Sequence, residues 1–294
     1  MPNAYIFALG FFDGVHLGHQ TLLKECVRLA TEYGAEPAAI TFDAHPGSLF
    51  AAEPTMLLSS LADREALLKS YGIRYVHVLQ VTKEVMSTPW ERFLDQLRQL
   101  GAVGFVCGHD FRFGCGGEGN AQKLADYCSR EKLPCGVVPE QTLEGVRLSS
   151  THIRCLLETG ETEAACRFLG HPHLISGEVV SGRKLGRTIG IPTANLALAE
   201  GVLCPRQGVY AGMVRIDGKR YPAVTNIGSR PTVGGHHVTV EPWILDFEGD
   251  LYGCTLCLEL HKFLRPEVKF SSLEELKAEI LKNAEQTRNF FGIS

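Results

Sequence analysis

Apolar and amphipathic runs alternate through the first 170 residues of the chain. Continuous apolar runs at 4–9, 37–42, 75–81, 102–107 and 135–139 read as strands buried on both faces. Runs at 20–33, 61–71, 88–100, 120–132, 151–158 and 161–169 carry helical spacing between them. Thr88-Pro89 predicts a helix start, with Thr as cap and Pro at the first helical position. This alternation predicts a parallel sheet with helices on both faces, whose ligands gather at the carboxyl ends of the strands. The turns after Leu9, Phe42 and Cys107 lie there. Gly170-His171-Pro172-His173 reads as a linker, and the pattern then changes. Short alternating runs at 174–181, 208–216, 221–227, 237–246 and 254–263, parted by Gly, Pro and Asp turns, predict a small antiparallel sandwich or barrel. A helix at 272–290 ends the pattern, with Ser272 and Glu275 as a candidate capping box. The expected division is 1–170 and 171–294.

Composition narrows the class. The 294 residues are 45% hydrophobic and 21% charged, as in a globular protein of about two domains. A net charge of −4 leaves no footprint for general nucleic-acid binding. No apolar run approaches a membrane span, and Met1-Pro2-Asn3 lacks the basic start of a signal peptide. A cytoplasmic protein with no nucleic-acid or membrane partner is expected, a monomer or weak homo-oligomer. Ten scattered cysteines suit reduced thiols better than a disulfide framework. Cys254 and Cys257 fit CxxC, but no second such pair exists, and in a strand residues three apart face opposite sides.

Gly10-Phe11-Phe12-Asp13-Gly14-Val15-His16-Leu17-Gly18-His19-Gln20 joins the first strand to the first helix. Glycines before a helix N-terminus let the backbone approach a phosphate, and the free N–H groups favour it. His16 and His19, three apart, share one face and can stabilise developing charge. They could instead be turn histidines, or hold a metal, for which only Asp13 is near as a third ligand. Ser149, Ser150 and Thr151 open a helix, which capping alone explains; Arg154 on its first turn adds a cation for the same anion. Gly114, Gly116 and Gly119 spell GxGxxG, with Glu140 about twenty residues on. The residues before them form no clean apolar strand, against a dinucleotide fingerprint. From Gly182 to Leu196 a basic, glycine-rich stretch runs through Gly186 and Gly190 into Pro192-Thr193-Ala194-Asn195. It is not a P-loop, being one residue short with no helix to follow. It is either a solvent-facing loop or a polyphosphate cradle, with the Thr193 hydroxyl available to Mg2+. Glu241 is either a strand-surface carboxylate or a general base. Pro242 beside it predicts an edge strand or strand end.

The 10–20 stretch resembles the HxGH signature of the nucleotidyltransferase superfamily. Its longer wording is similar to that of the bacterial bifunctional riboflavin kinase/FMN adenylyltransferases, the FAD synthetases. Leu148 to Arg154 resembles the ISSTxxR signature, and Gly108 to Gly114 the GxDFRFG stretch, with His109 where the family usually has an acid and no basic residue in 115–119. Pro192 to Asn195 looks like the riboflavin kinase PTAN signature, and the likeness continues through 208–211, 226–232, 240–247, 250–253 and 264–270. The resemblance implies a Rossmann-like adenylyltransferase domain followed by a β-barrel kinase domain with a terminal helix. It implies ATP at Gly10, Phe11, Asp13, Gly18, Ser150 and Thr151, with His16, His19 and Arg154 acting in AMP transfer to FMN. It implies flavin contacts from Asp43, His45, Asp110, Phe111, Arg112 and Arg265. In the kinase it implies Gly182, Gly186, Thr193 and Asn195 on ATP, the last two on Mg2+, and Glu241 as base toward riboflavin. Asn283 stands where an acid is expected. FMN and FAD are then products. Alternatives are a kinase with an impaired adenylyltransferase site and a flavin-binding carrier or sensor. A cytidylyltransferase would lack the PTAN barrel, and a class I aminoacyl-tRNA synthetase would need a KMSKS-like loop.

Overall fold

A computed structural model describes residues 4–49, 55–182, 186, 190–232 and 235–293, without the side chains of 230–237. The reading of Met1 to Asn3 lies outside them, as does that of Arg183, Lys184, Leu185, Arg187, Thr188 and Ile189. The chain forms two compact units, 1–57 with 61–150, and 58–60 with 151–294.

The first unit runs β1 (Tyr5–Leu9), α1 (Leu17–Glu32), β2 (Glu36–Phe42), α2 (Leu61–Ser70), β3 (Tyr75–Leu79), α3 (Lys83–Met86) and α4 (Trp90–Gln99). It continues with β4 (Ala102–Gly108), β5 (Arg112–Phe113), β6 (Gly119–Asn120), α5 (Ala121–Glu131), β7 (Cys135–Val138), β8 (Thr142–Leu143) and β9 (Val146–Arg147). The parallel sheet has the order β3-β2-β1-β4-β7. Chain direction across the sheet reverses between β1 and β4, which puts the crevice of a doubly wound sheet beside the turn that leaves β1. Strand alternation sends Phe7 and Leu9 into a core with Leu94, Phe105, Leu124 and Tyr127. The opposite face is reached by α1, whose buried Cys26 donates its thiol hydrogen to the Ile6 carbonyl at 3.2 Å. The GxGxxG glycines fall in the small β5–β6 hairpin and the turn within it, not after a strand of the parallel sheet.

One boundary differs for a local reason. Thr88 does not cap α4; its hydroxyl donates back to the Glu84 carbonyl at 3.3 Å, and Pro89 is the cap residue. The β8–β9 hairpin, turning through Glu144 and Gly145 at φ 53° and 78°, was not expected.

The second unit opens with α6 (Ser150–Thr159), its first residue apart, and α7 (Thr162–Leu169). Then follow β10 (His173–Glu178), β11 (Gly208–Ile216), β12 (Lys219–Thr232), β13 (Gly235–Ile244), β14 (Thr255–Arg265) and α8 (Leu273–Phe291). The antiparallel order is β10-β14-β11-β12-β13, so Pro242 does lie on an edge strand. The edges are covered by one segment. Ala194 and Leu196 donate to the Pro242 and Val240 carbonyls at 2.9 Å, while Val180 donates to the Asn195 carbonyl at 2.8 Å. Leu196 thereby bridges both Val179 and Val240 and closes the sheet into a barrel. At α8 the Ser272 hydroxyl accepts from the Glu275 N–H at 3.2 Å. The Glu275 carboxylate returns to the Ser271 N–H at 3.1 Å, a capping box displaced by one residue.

His173 on β10 is buried, and its Nε2 has no hydrogen-bond partner. Burial, and secondarily the charge of His171, push its pKa from 6.5 down to about 3. The folded value lies below the unfolded one, so the unfolded chain binds the proton first as pH falls. Stability present above pH 6.5 is therefore lost progressively toward about pH 3. The full loss is on the order of 5 kcal/mol. His173→Leu is expected to flatten this arm, as read from urea unfolding of the second unit at pH 7, 5 and 4.

Candidate active sites

The first site is the turn between β1 and α1. Gly14 sits at φ 72°, a conformation open to glycine. Phe12 and Val15 are also left-handed, at φ 58° and 40°, so the turn holds backbone strain. Side chains brace it. Thr41 Oγ1 donates to the Phe11 carbonyl at 2.7 Å, Gln20 Nε2 to the Val15 carbonyl at 3.0 Å and Ser150 Oγ to the Asp13 carbonyl at 2.9 Å. The expected ATP residues Gly10, Phe11 and Asp13 therefore belong to one braced loop, Gly18 stands on the first turn of α1 that follows it, and the Ser150 hydroxyl is part of the bracing. α1 begins at Leu17, earlier than periodicity predicts, because His16 is its N-cap: Nδ1 accepts from the His19 N–H at 3.4 Å. With Nδ1 accepting, the neutral His16 ring carries its proton on Nε2. The His16 and His19 rings stack, with centroids 3.6 Å apart and 18° between planes. Burial, then the charges of His16 and Arg64, hold the His19 pKa well below 6.5. A histidine pair at a helix N-terminus, with His19 held neutral, is suited to donate to phosphate oxygens. Among the described residues no cluster of three or more His, Cys, Asp or Glu is placed to hold a metal ion. Thr151 is exposed and Arg154 half-buried on α6.

The expected flavin residues of this unit lie at the same strand ends. Asp43 follows β2 and accepts from the Val81 N–H at 2.8 Å. His45 turns its edge to Phe11, with centroids 5.2 Å apart. Phe111 stacks on Phe113 at 5.7 Å, and Arg112 is exposed. Asp110 pairs with Arg147 of β9, which also lies 3.8 Å from Glu140, itself 3.6 Å from His109. Arg147 is thus a cation beside this turn, paired with two carboxylates.

The second site is a cavity of about 660 Å3 in the second unit. Thr193, Glu241, Arg265 and Gly186 line it, with Trp243 and Phe270. β12–β13 pairing sets Glu241 opposite Asn226. Arg265 Nε donates to Asn283 Oδ1 at 3.0 Å and lies 3.5 Å from Glu279. The buried Asn283 thus orients Arg265, and the acid comes from Glu279, one turn earlier on α8. A Cβ at Gly182 would lie 2.3 Å from the Asn195 amide nitrogen, so only glycine lets that side chain settle there. Thr193 and Asn195 offer a hydroxyl and an amide oxygen, the hard donors that suit Mg2+.

Two family models match the chain, FAD synthetase over residues 1–152 and riboflavin kinase over 169–291. The bifunctional riboflavin kinase/FMN adenylyltransferase of Listeria monocytogenes is 36% identical over 290 residues, covering 97% of this chain and 92% of the relative. This chain belongs to that family. The Escherichia coli K12 bifunctional riboflavin kinase/FMN adenylyltransferase is also 36% identical, over 98% of this chain and 93% of the relative. A solved structure described as a macrolide-efflux protein from Streptococcus pneumoniae superposes with a TM-score of 0.88 at 30% identity, over 98% of this chain and 95% of that one. Among the described residues of this family member, no helix is long and apolar enough to cross a membrane.

Arg147 and Arg64 escape a reading by motif, while Glu267 lies within the 264–270 likeness without an assigned role. Arg147 is a hairpin residue whose partners are 7 and 37 positions away. Glu267 accepts from Asn226 Nδ2 at 3.4 Å at the cavity wall. Arg64 did leave a signal, since it breaks the apolar stripe of Leu61, Leu67 and Leu68 on α2.

Proposed function

We propose that this protein makes FAD in two ATP-dependent steps, phosphorylating riboflavin to FMN and then transferring AMP from ATP to FMN with release of pyrophosphate. The observation that carries this is the presence of both family matches, in order, on one chain. Residues 1–170 serve adenylyl transfer and 171–294 the kinase. α6, which carries Arg154, is nonetheless compact with the barrel.

In the kinase, the Glu241 carboxylate accepts the proton of the ribityl 5′-hydroxyl as that oxygen attacks the γ-phosphorus and ADP leaves. Thr193 and Asn195 would hold Mg2+, which when bound neutralises charge on the phosphate oxygens. Gly182 and Gly186 let backbone approach the nucleotide, and Arg265, held by Asn283, covers the flavin. In the adenylyltransferase, an FMN phosphate oxygen attacks the α-phosphorus of ATP and pyrophosphate departs. His16, His19, Thr151 and Arg154 stabilise charge on the reacting phosphates, and no covalent intermediate is required. Gly10, Phe11, Asp13, Gly18 and Ser150 shape the ATP site. Asp43, His45, Asp110, Phe111 and Arg112 receive the FMN. The protein works in the cytoplasm on small molecules, as a monomer or weak homo-oligomer, without a nucleic-acid or membrane partner. Ten cysteines with no disulfide among the described residues suit that reducing compartment.

Incubation with riboflavin, ATP and Mg2+, with flavins separated over time, tests the reading. FMN is expected to rise and then give way to FAD. Accumulation of FMN alone would refute the adenylyltransferase, and no conversion would favour a flavin-binding protein.

A further inference from the structure

α2 carries a cation where its apolar stripe should continue. Arg64 is fully buried, with no exposed surface. Its Nη1 donates to the Phe42 carbonyl at 2.7 Å, Thr41 Oγ1 at 3.0 Å and the Phe11 carbonyl at 3.3 Å. Its planar face lies over the Phe11 ring, Cζ 4.4 Å from the centroid. Nε and Nη2 have no hydrogen-bond partner, and neither has the buried Nδ1 of His19.

Such a residue is hard to explain by stability. A buried guanidinium with two donors unsatisfied is penalised, and an apolar side chain of similar volume there is often neutral or stabilising. Its place is the informative feature. The single Nη1 ties the turn after β1 to the end of β2, and the proposed ATP and flavin residues Phe11, Asp13, Asp43 and His45 lie on these two segments. The charged groups around it divide by sign. Asp13, Asp43 and Glu65 favour the charged guanidinium against the effect of burial. Arg64 and His16 both oppose protonation of His19.

We propose that Arg64 is a positioning residue for the adenylylation step: its guanidinium locks the turns after β1 and β2 together and sets a fixed positive charge behind them for the nucleotide phosphates. The proposal rests on the adenylyltransferase reading above. A residue of this kind is kept for the site at the expense of the fold.

The test compares Arg64→Met and Arg64→Lys with wild type in FMN adenylylation at varied ATP and pH. Riboflavin phosphorylation in the same samples and the His19 imidazole titration by NMR complete it. Arg64→Met is expected to lose on the order of 10²-fold in kcat/KM for adenylylation, as misplacement of reacting groups does. FMN formation should be unchanged. The His19 titration, and the acid limb of the adenylylation profile with it, should move up toward the ordinary histidine range. Arg64→Lys should keep the His19 titration near wild type yet not restore the rate, since an ammonium lacks the planar fork. Should Arg64→Met fail to fold, Arg64→Lys decides by the same readouts. Wild-type adenylylation in Arg64→Met, or a loss matched in both activities with an unmoved His19 titration, would overturn the proposal. Wild-type protein that makes no FAD from FMN and ATP would overturn the functional reading and this proposal together.

Discussion

His19→Ala will stop FAD formation and leave FMN formation intact. His19 stands on the first turn of α1 and stacks on His16 with centroids 3.6 Å apart. Burial and two neighbouring cationic groups favour its neutral form. A neutral imidazole donates one hydrogen bond without the desolvation penalty of a charge, and the strained, braced turn holds it at the proposed phosphate site. Removing one such preorganised donor typically reduces kcat by about 10²–10³-fold. FAD formation from FMN and ATP, with riboflavin phosphorylation measured on the same sample, checks the prediction. Equal loss of both activities in folded protein would contradict two separate sites. On the role proposed for neutral His19, adenylylation should persist below pH 6.5, where an ordinary histidine would already be charged.

Glu241→Ala should produce the reverse pattern. FMN formation should fall by about 10²–10⁴-fold, the range general-base catalysis contributes, while conversion of supplied FMN to FAD continues. Glu241 faces the cavity that Thr193 and Arg265 also line. An alcohol is a weak nucleophile, so loss of the acceptor for its proton should lower kcat more than it raises KM for riboflavin. A variant with wild-type kcat and a raised KM would make Glu241 a binding residue only. The side chain sits on β13 next to Pro242, which has no N–H to give the sheet. The Pro242 carbonyl is taken instead by the Ala194 N–H at 2.9 Å, so the strand that carries Glu241 and the PTAN segment are joined through backbone.

The contrast between Glu241 and Arg64 separates what a sequence carries from what it does not. The element types followed from apolar periodicity, because burial on one face or two imposes its own spacing. The motifs at 10–20, 148–154 and 192–195 were legible because each lies within a few consecutive residues, where backbone geometry alone brings the groups together. Boundaries moved where a side chain competed for a cap, as His16 did at α1 and Thr88 failed to do at α4. Two departures from the family wording, His109 and Asn283, looked like weakened charge in the sequence. In the folded chain Arg147 pairs with Asp110 and Glu140 beside His109, and Glu279 lies beside the Arg265 that Asn283 also holds.

By itself the sequence determined the two domains' character and the order of the two chemistries. Tertiary structure alone decided that 194–197 closes the barrel, that Arg147 reaches the His109–Asp110 turn, that Arg265 is held from α8, and that Arg64 lies beneath the adenylyl-transfer turn. Each of these joins residues far apart along the chain. Such pairs are set by strand register and helix packing, which depend on the whole core and leave no local spacing to read.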